Sequence, residues 1–102
     1  MSKRRVVVTG LGAVTPLGNT AGEFWNNLIA GKSGAAPITR FDASKFKTQF
    51  ACEVKDFDPQ NYFDRKEARK LDLFAQYAMV TATDAVEDSG LDVEKVNGDR
   101  VG

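Results

Sequence analysis

The segment from Asp64 to about Ser89 constrains the fold most, because its pattern is helical throughout. Residues on one broad face recur at intervals of three and four, which is typical of an amphipathic helix: Phe74, Tyr77, Ala78, Thr81, Ala82, Ala85 and Val86. Gly90 follows as a left-handed stop. Such a helix would be about 37 Å long, more than the width of a 100-residue globule. We therefore expect it to lie on a larger body.

The charges of this predicted helix run against its dipole. Four cations stand in its first turns: Arg65, Lys66, Arg69 and Lys70. The N-terminal end of a helix carries free N–H groups and favours anions, whereas acids gather here near the carbonyl end, at Asp84, Glu87 and Asp88. This arrangement predicts that an anionic partner docks beside the cations.

Composition removes several classes of function. Fourteen basic and fourteen acidic residues cancel over 102 residues, so no global field attracts nucleic acid or an anionic membrane. The chain has no histidine and one cysteine, which excludes the usual zinc sites and histidine-assisted nucleophiles within it. No apolar run approaches the length of a membrane span. We expect a cytoplasmic protein without cofactor or metal.

The first quarter of the chain predicts a strand, a turn and a helix. Arg5 to Gly10 is a β-branched run typical of a strand buried on both faces of a parallel sheet. Thr20 and Glu23 have capping-box spacing, so a helix should begin there and stop at Gly31. Its apolar stripe contains Trp25, which we assign to the core and not to a ligand platform.

The middle of the chain predicts a loop, a strand and a short helical turn. Residues 31–42 have the composition of a loop. Apolar residues then occupy alternate positions, which favours a half-buried strand: Phe46, Phe50, Cys52 and Val54. Asp58 followed by Pro59 predicts a capped helical turn, and Asn97 with Gly98 predicts a turn near the end.

Two small motifs invite chemical interpretations that we reject. Gly10 and Gly12 follow a predicted strand, but Thr15 and Pro16 stand where a dinucleotide fingerprint needs its third glycine and helix start. A tight turn is the better interpretation. Cys52 has no cation or histidine beside it in the pattern and lies on the apolar side of its segment, so we predict a small buried core residue.

The basic cluster supports two interpretations. Most charge runs are solvated helix faces, and Glu67 can pair with Lys70 three residues on or with the neighbouring Lys66. Alternatively, Lys66, Arg69 and Lys70 share one side of the helix and can meet one acidic surface together. The unfavourable dipole supports docking.

Ordered motifs along the whole chain are similar to the opening of the bacterial β-ketoacyl-acyl carrier protein synthase II family. They are Arg4 to Gly12, Thr15 to Asn19, Gly31 to Gly34, Phe41-Asp42, Asp64 to Lys70 and Asp88 to Leu91. The resemblance implies an α/β fold of the thiolase type, with two duplicated halves in α-β-α-β-α layers. Residues 1–102 would be the N-terminal segment of the first half.

The resemblance also implies a reaction and a partner. An acyl group passes from acyl carrier protein to a cysteine, malonyl-carrier protein loses CO₂, and the carbanion attacks the acyl thioester. Lys66, Arg69 and Lys70, joined by Arg65, match the family's positions that meet the carrier protein's acidic helix. The complete enzyme would be a homodimer that binds neither nucleic acid nor membrane.

No catalytic residue carries over from the family, because its nucleophilic cysteine and two histidines lie beyond Gly102. We expect these residues alone not to catalyse condensation. Three roles stay open: a segment of a fatty-acid condensing enzyme, a non-catalytic module that binds an acidic carrier protein, and part of a polyketide or decarboxylating relative.

Overall fold

The fold was analysed in a computed structural model that describes residues 3–101. These residues form helices α1 (Ala21–Ile29), α2 (Arg65–Lys70) and α3 (Leu73–Ser89). Two short strands, β1 (Ala35–Pro37) and β2 (Phe50–Cys52), pair antiparallel with Ala36 opposite Ala51. Single turns of 3₁₀ helix lie at Pro59–Asn61 and Gly98–Arg100.

The prediction of one continuous helix from Asp64 to Ser89 is wrong. Leu71 (φ −111°, ψ 129°) and Asp72 (φ −64°, ψ 159°) are extended and separate α2 from α3. The 17 residues of α3 span about 25 Å, not 37 Å. The predicted stop is confirmed, since Gly90 caps α3 in the left-handed region at φ 69°.

Helix α3 supports the segment around Gly10 and Gly12 by direct backbone contact. A Cβ atom at Gly10 would overlap the Ala85 carbonyl, and one at Gly12 would overlap the Thr81 carbonyl. The backbone N–H of Leu11 donates to Asp88 Oδ2 at 3.0 Å. The two glycines therefore allow the chain to cross α3 closely. The predicted tight turn does not form, since residues 10–12 adopt neither a turn nor a bend. The first helix begins only at Ala21, which agrees with the rejection of a dinucleotide fingerprint.

The predicted strand at residues 5–10 does not form within the described part of the chain. Val6 is 95 % exposed and Val8 80 % exposed, because none of residues 3–101 pairs with this segment. A β-branched run forms a strand only where neighbouring strands satisfy its backbone.

Helix α1 follows its sequence signals, but its apolar stripe is not covered. Thr20 Oγ1 accepts from the Glu23 N–H at 3.1 Å, and Gly31 adopts φ 73° after the helix, as predicted. Trp25, which we assigned to the core, is 60 % exposed. The core placement is therefore wrong for the described residues, because no other described element covers this face.

The strand pair is shorter than the pattern predicts. β1 lies inside the segment predicted as a loop, and β2 covers only three residues of the predicted strand. Phe50 and Cys52 lie on the exposed face of β2, so the prediction of a buried Cys52 is wrong. The cap at Asp58 and the turn at Asn97 and Gly98 are confirmed, and both the Asp58 and the Asn97 side chains accept from the N–H two residues on.

Little of this segment is buried. Ala43 and Val80 are the buried apolar residues among those described, together with the polar Gln76. The radius of gyration is 17.8 Å, whereas a compact domain of about 100 residues has about 13 Å. These elements therefore do not build a core of ordinary size from their own side chains.

Candidate functional site

The candidate site is the basic cluster, which the structure places on α2. Arg65, Lys66, Arg69 and Lys70 are all exposed to solvent. Asp64 Oδ1 accepts from the Glu67 N–H at 2.8 Å and begins the helix. The sequence therefore forms a short, capped helix whose outer surface carries the four cations.

The break after Lys70 changes the electrostatic interpretation. Because α2 ends there, Arg69 and Lys70 lie in its last turn, where the helix dipole favours cations. The expectation that these two charges oppose the dipole is wrong. The prediction for the end of α3 holds, since its last turn contains no basic residue that would balance the acids. One of these acids, Asp88, accepts a hydrogen bond from the Leu11 N–H.

The four cations have no acidic partner in residues 3–101. The ion pairs found there join Arg40 to Glu53 and Lys95 to Asp92, each at 3.8 Å. Neither of the two pairings considered for Glu67, with Lys70 or with Lys66, forms in the described residues. The positive charge of α2 is therefore available to a partner.

The cations differ in their surroundings. Arg65 and Arg69 line a groove between α2 and the preceding 3₁₀ turn, whereas Lys66 and Lys70 lie outside it. The other lining residues are Asp58, Pro59, Gln60, Ala68 and Gln76. A guanidinium group matches the planar geometry of a carboxylate, so the two arginines are suited to an anion held in one position. A lysine ammonium is a point charge on a flexible stem, so the two lysines can follow an anion that moves.

The groove is braced by α3. Gln76 is 7 % exposed, and its Nε2 donates to the Ala68 carbonyl at 3.0 Å and the Leu71 carbonyl at 3.2 Å. These carbonyls lie at the C-terminal end of α2, where the usual donors four residues on are missing, and the Ala68 carbonyl otherwise accepts only the long 3.4 Å bond from the Leu71 N–H. Sequence reasoning missed Gln76, because a polar residue on a helix carries no signal of such a contact.

The next residue, Tyr77, ties α3 to the chain around β1 and β2. Its hydroxyl accepts from Arg40 Nη2 at 3.1 Å, and its ring meets Phe57 edge to face at 4.8 Å. Arg40 also pairs with Glu53, whose carboxylate accepts from the Thr39 hydroxyl at 2.8 Å. The hydrogen bond from Thr39 lowers the pKa of Glu53.

This lowered pKa predicts an acid-dependent contribution to stability. A carboxyl group whose folded pKa is depressed stabilises the fold above its unfolded pKa, and loses that contribution as pH falls through the folded value. We expect Glu53→Gln to lower the unfolding temperature at neutral pH. The difference from wild type should shrink below pH about 4.5.

The measurement is thermal unfolding of wild-type and Glu53→Gln protein across this pH range. Glu94→Gln serves as the control, since the Glu94 carboxylate is exposed and makes no hydrogen bond or ion pair with the described residues; only its backbone N–H donates, to Asp92 Oδ1. A difference from wild type that stays constant with pH would contradict the role of Glu53.

The described residues hold no other centre of chemistry. They contain no group of three or more His, Cys, Asp or Glu side chains that could hold a metal ion. Cys52 lies exposed on β2. Among the same residues, no helix is both long and apolar enough to cross a bilayer.

Comparison with known proteins identifies the family. Residues 3–102 match the family described as "Beta-ketoacyl synthase, N-terminal domain". The chain is 59 % identical over 102 residues to the 3-oxoacyl-acyl-carrier-protein synthase 2 of Coxiella burnetii, and 51 % identical to that of Vibrio cholerae. It covers all of its own length in both alignments, and 25 % of each relative.

Solved structures show the same fold. The ishigamide ketosynthase/chain length factor superposes with a TM-score of 0.80 at 40 % identity, over 94 % of this chain and 24 % of that one. A type II polyketide ketosynthase in complex with its acyl carrier protein gives 0.64 at 28 % identity, over 89 % and 23 %.

The chain spans about a quarter of the length of these relatives. Its fold is the thiolase-like α/β fold of ketosynthases, in agreement with the fold class predicted from the sequence. The chain belongs to the β-ketoacyl synthase family and matches its N-terminal domain.

Proposed function

We propose that this chain forms the N-terminal part of the first half of a cytoplasmic β-ketoacyl-acyl carrier protein synthase that elongates fatty acids. The identity of 59 % to a named 3-oxoacyl synthase supports this activity. The exposed apolar faces of the N-terminal segment, α1 and β2 support a larger body, because surfaces of this size are normally covered.

In the proposed reaction the acyl group moves from its carrier thiol to an enzyme cysteine outside these residues. The carrier-bound malonyl group then loses CO₂, and the electron pair of the broken C–C bond attacks the acyl thioester. The new C–C bond forms as the enzyme thiolate leaves. The described residues contribute scaffold to this chemistry and no reacting group.

The part that this segment plays directly is docking of the acyl carrier protein. The observation that carries it is the exposure of Arg65, Lys66, Arg69 and Lys70 on one short helix without an acidic partner among the described residues. A similar ketosynthase has been solved with its acyl carrier protein bound. Complementary surface charge acts mainly on the rate and orientation of encounter.

Docking through exposed charges predicts a dependence on salt. Such charges are screened beyond ~8 Å at physiological ionic strength. We expect KM for carrier-bound acyl substrates to rise steadily between low salt and 0.5 M salt in the complete enzyme. KM for acyl-coenzyme A, measured in the same series, should change little, and equal changes in both would contradict docking by charge.

The experiment that tests the proposed activity is condensation by the complete enzyme. Acyl-carrier and malonyl-carrier protein should yield CO₂ and a β-ketoacyl-carrier product two carbons longer. Tight carrier binding without CO₂ release or product would reject the synthase and leave a non-catalytic binding module.

A polyketide ketosynthase is the second candidate, favoured by the structural match to a type II polyketide ketosynthase at a TM-score of 0.64. The two candidates differ in the chain that they extend. A fatty-acid synthase should extend a saturated acyl primer and release the product after one condensation. Repeated condensation without reduction would favour the polyketide role.

A further inference from the structure

The corner between α2 and α3 depends on one buried side chain. The two helices are separated by Leu71 and Asp72 alone, and the Leu71 N–H donates to the Ala68 carbonyl at a long 3.4 Å. Asp72 makes no side-chain cap to α3. The closest hydrogen bonds across the corner are therefore those from Gln76 Nε2 to Ala68 and Leu71.

The sequence itself does not require a corner here. Residues 64–89 have a pattern that also fits one continuous helix, and neither glycine nor proline interrupts it. In a continuous helix the backbone N–H groups of residues 72 and 75 would take the Ala68 and Leu71 carbonyls. Gln76 occupies those carbonyls instead, so its amide favours the bent arrangement.

Gln76 is poorly satisfied by its own surroundings. Its Oε1 atom is buried and has no hydrogen-bond partner in the described residues. An unpaired buried acceptor destabilises the folded state, and departures from local rules concentrate at positions that serve function. The surroundings of Gln76 are consistent with a functional position, because Gln76 lines the same groove as Arg65 and Arg69.

We propose that Gln76 is a positioning residue for carrier docking, which holds α2 at its angle to α3 and so sets where the cations point. The inference rests on the proposed docking function. Gln76 itself is buried, so it acts through the helix and does not meet the partner. Loss of its amide would leave the four cations on α2 but change the direction in which they face.

The test uses Gln76→Leu in the complete enzyme, because leucine removes the amide at similar volume. We expect KM for carrier-bound acyl substrates to rise about five- to tenfold, with kcat/KM for acyl-coenzyme A unchanged. Gln76→Asn, which keeps an amide but shortens its reach, replaces the leucine variant if that does not fold. Val80→Ala is the control, since it removes buried volume from the same face of α3, one turn after Gln76, and removes no hydrogen-bonding group.

A rescue variant separates positioning from general damage. Asp72 has φ −64°, which proline requires, and Leu71 has the extended ψ of 129° that precedes proline well. The Asp72 N–H donates to none of the described backbone carbonyls. We expect Asp72→Pro to rebuild the corner, so the double variant with Gln76→Leu should regain the wild-type KM for carrier-bound substrate.

The outcomes distinguish the two proposals. Unchanged KM in Gln76→Leu, equal loss with both substrates, or no rescue by Asp72→Pro would overturn the positioning role. If charge reversal of Arg69 and Lys70 also left carrier-bound KM unchanged, docking by α2 would itself be wrong, and the positioning role would be rejected with it.

Discussion

Reversal of three charges on α2, by Lys66→Glu, Arg69→Glu and Lys70→Glu together, is expected to raise KM for carrier-bound acyl substrates about 100-fold. Each exposed pair contributes up to ~1 kcal/mol, and a reversed charge also repels the partner, so three reversals amount to roughly 3 kcal/mol. Acyl-coenzyme A, which needs no protein docking, should be used nearly as well as by wild type. The measurement is steady-state kinetics of the complete enzyme with both substrates.

A matched control separates local docking from net charge. Lys32, Lys45 and Lys47 are exposed cations outside α2, and their reversal changes the net charge by the same amount. This control variant should keep a KM for carrier-bound substrate close to that of wild type. Equal losses in the two triple variants would mean that α2 is not a specific docking site. Arg65→Glu, tested singly, measures the contribution of the fourth cation to KM for carrier-bound substrate.

Substitution of Gly12 by alanine is expected to destabilise the enzyme by about 4 kcal/mol or more. The added Cβ would overlap the Thr81 carbonyl and lie 3.1 Å from the Ala85 nitrogen, and both are backbone atoms of α3. Neither can move aside by rotation of a side chain. The N-terminal segment would have to leave α3, which also breaks the hydrogen bond from Leu11 to Asp88.

Chemical or thermal unfolding measures this loss, with Gly22→Ala as the control. Gly22 lies in α1, and a Cβ there meets no atom within 4 Å. Alanine at an open helix position stabilises by about 0.5–1 kcal/mol, so the two glycine variants should shift stability in opposite directions. A wild-type unfolding temperature for Gly12→Ala would show that the crossing is not close.

Helix ends were predictable because their chemistry is local. Thr20, Asp58 and Gly90 each act within three residues of their own position, and all three behave as the sequence indicates. Position-specific signals of this kind need no knowledge of the rest of the fold.

The corner at Leu71 and Asp72 was not predictable from periodicity. Its hydrogen bonds come from Gln76, which lies five residues from the Leu71 acceptor and eight from the Ala68 acceptor. A glutamine that pointed outward would show the same sequence pattern as one that points inward. The structure places the four predicted cations on the surface of α2. The predicted relation of Arg69 and Lys70 to the helix dipole was wrong, because that relation depends on where α2 ends.

Burial was the least predictable property. The patterns around Val6, Trp25 and Cys52 all indicate apolar faces, and each face is exposed in the described residues. A pattern shows which face of an element can be buried, whereas burial itself needs a neighbour to cover it. Sequence pattern and observed burial therefore disagree wherever burial depends on residues far away in the sequence.

The most direct test of docking by α2 is a titration of acyl carrier protein into the complete enzyme at low ionic strength, followed by calorimetry. Wild type should bind, and the Lys66, Arg69 and Lys70 reversal variant should bind about 100-fold more weakly, a difference that falls as salt is added. Equal affinities for the two proteins at low salt would contradict the account.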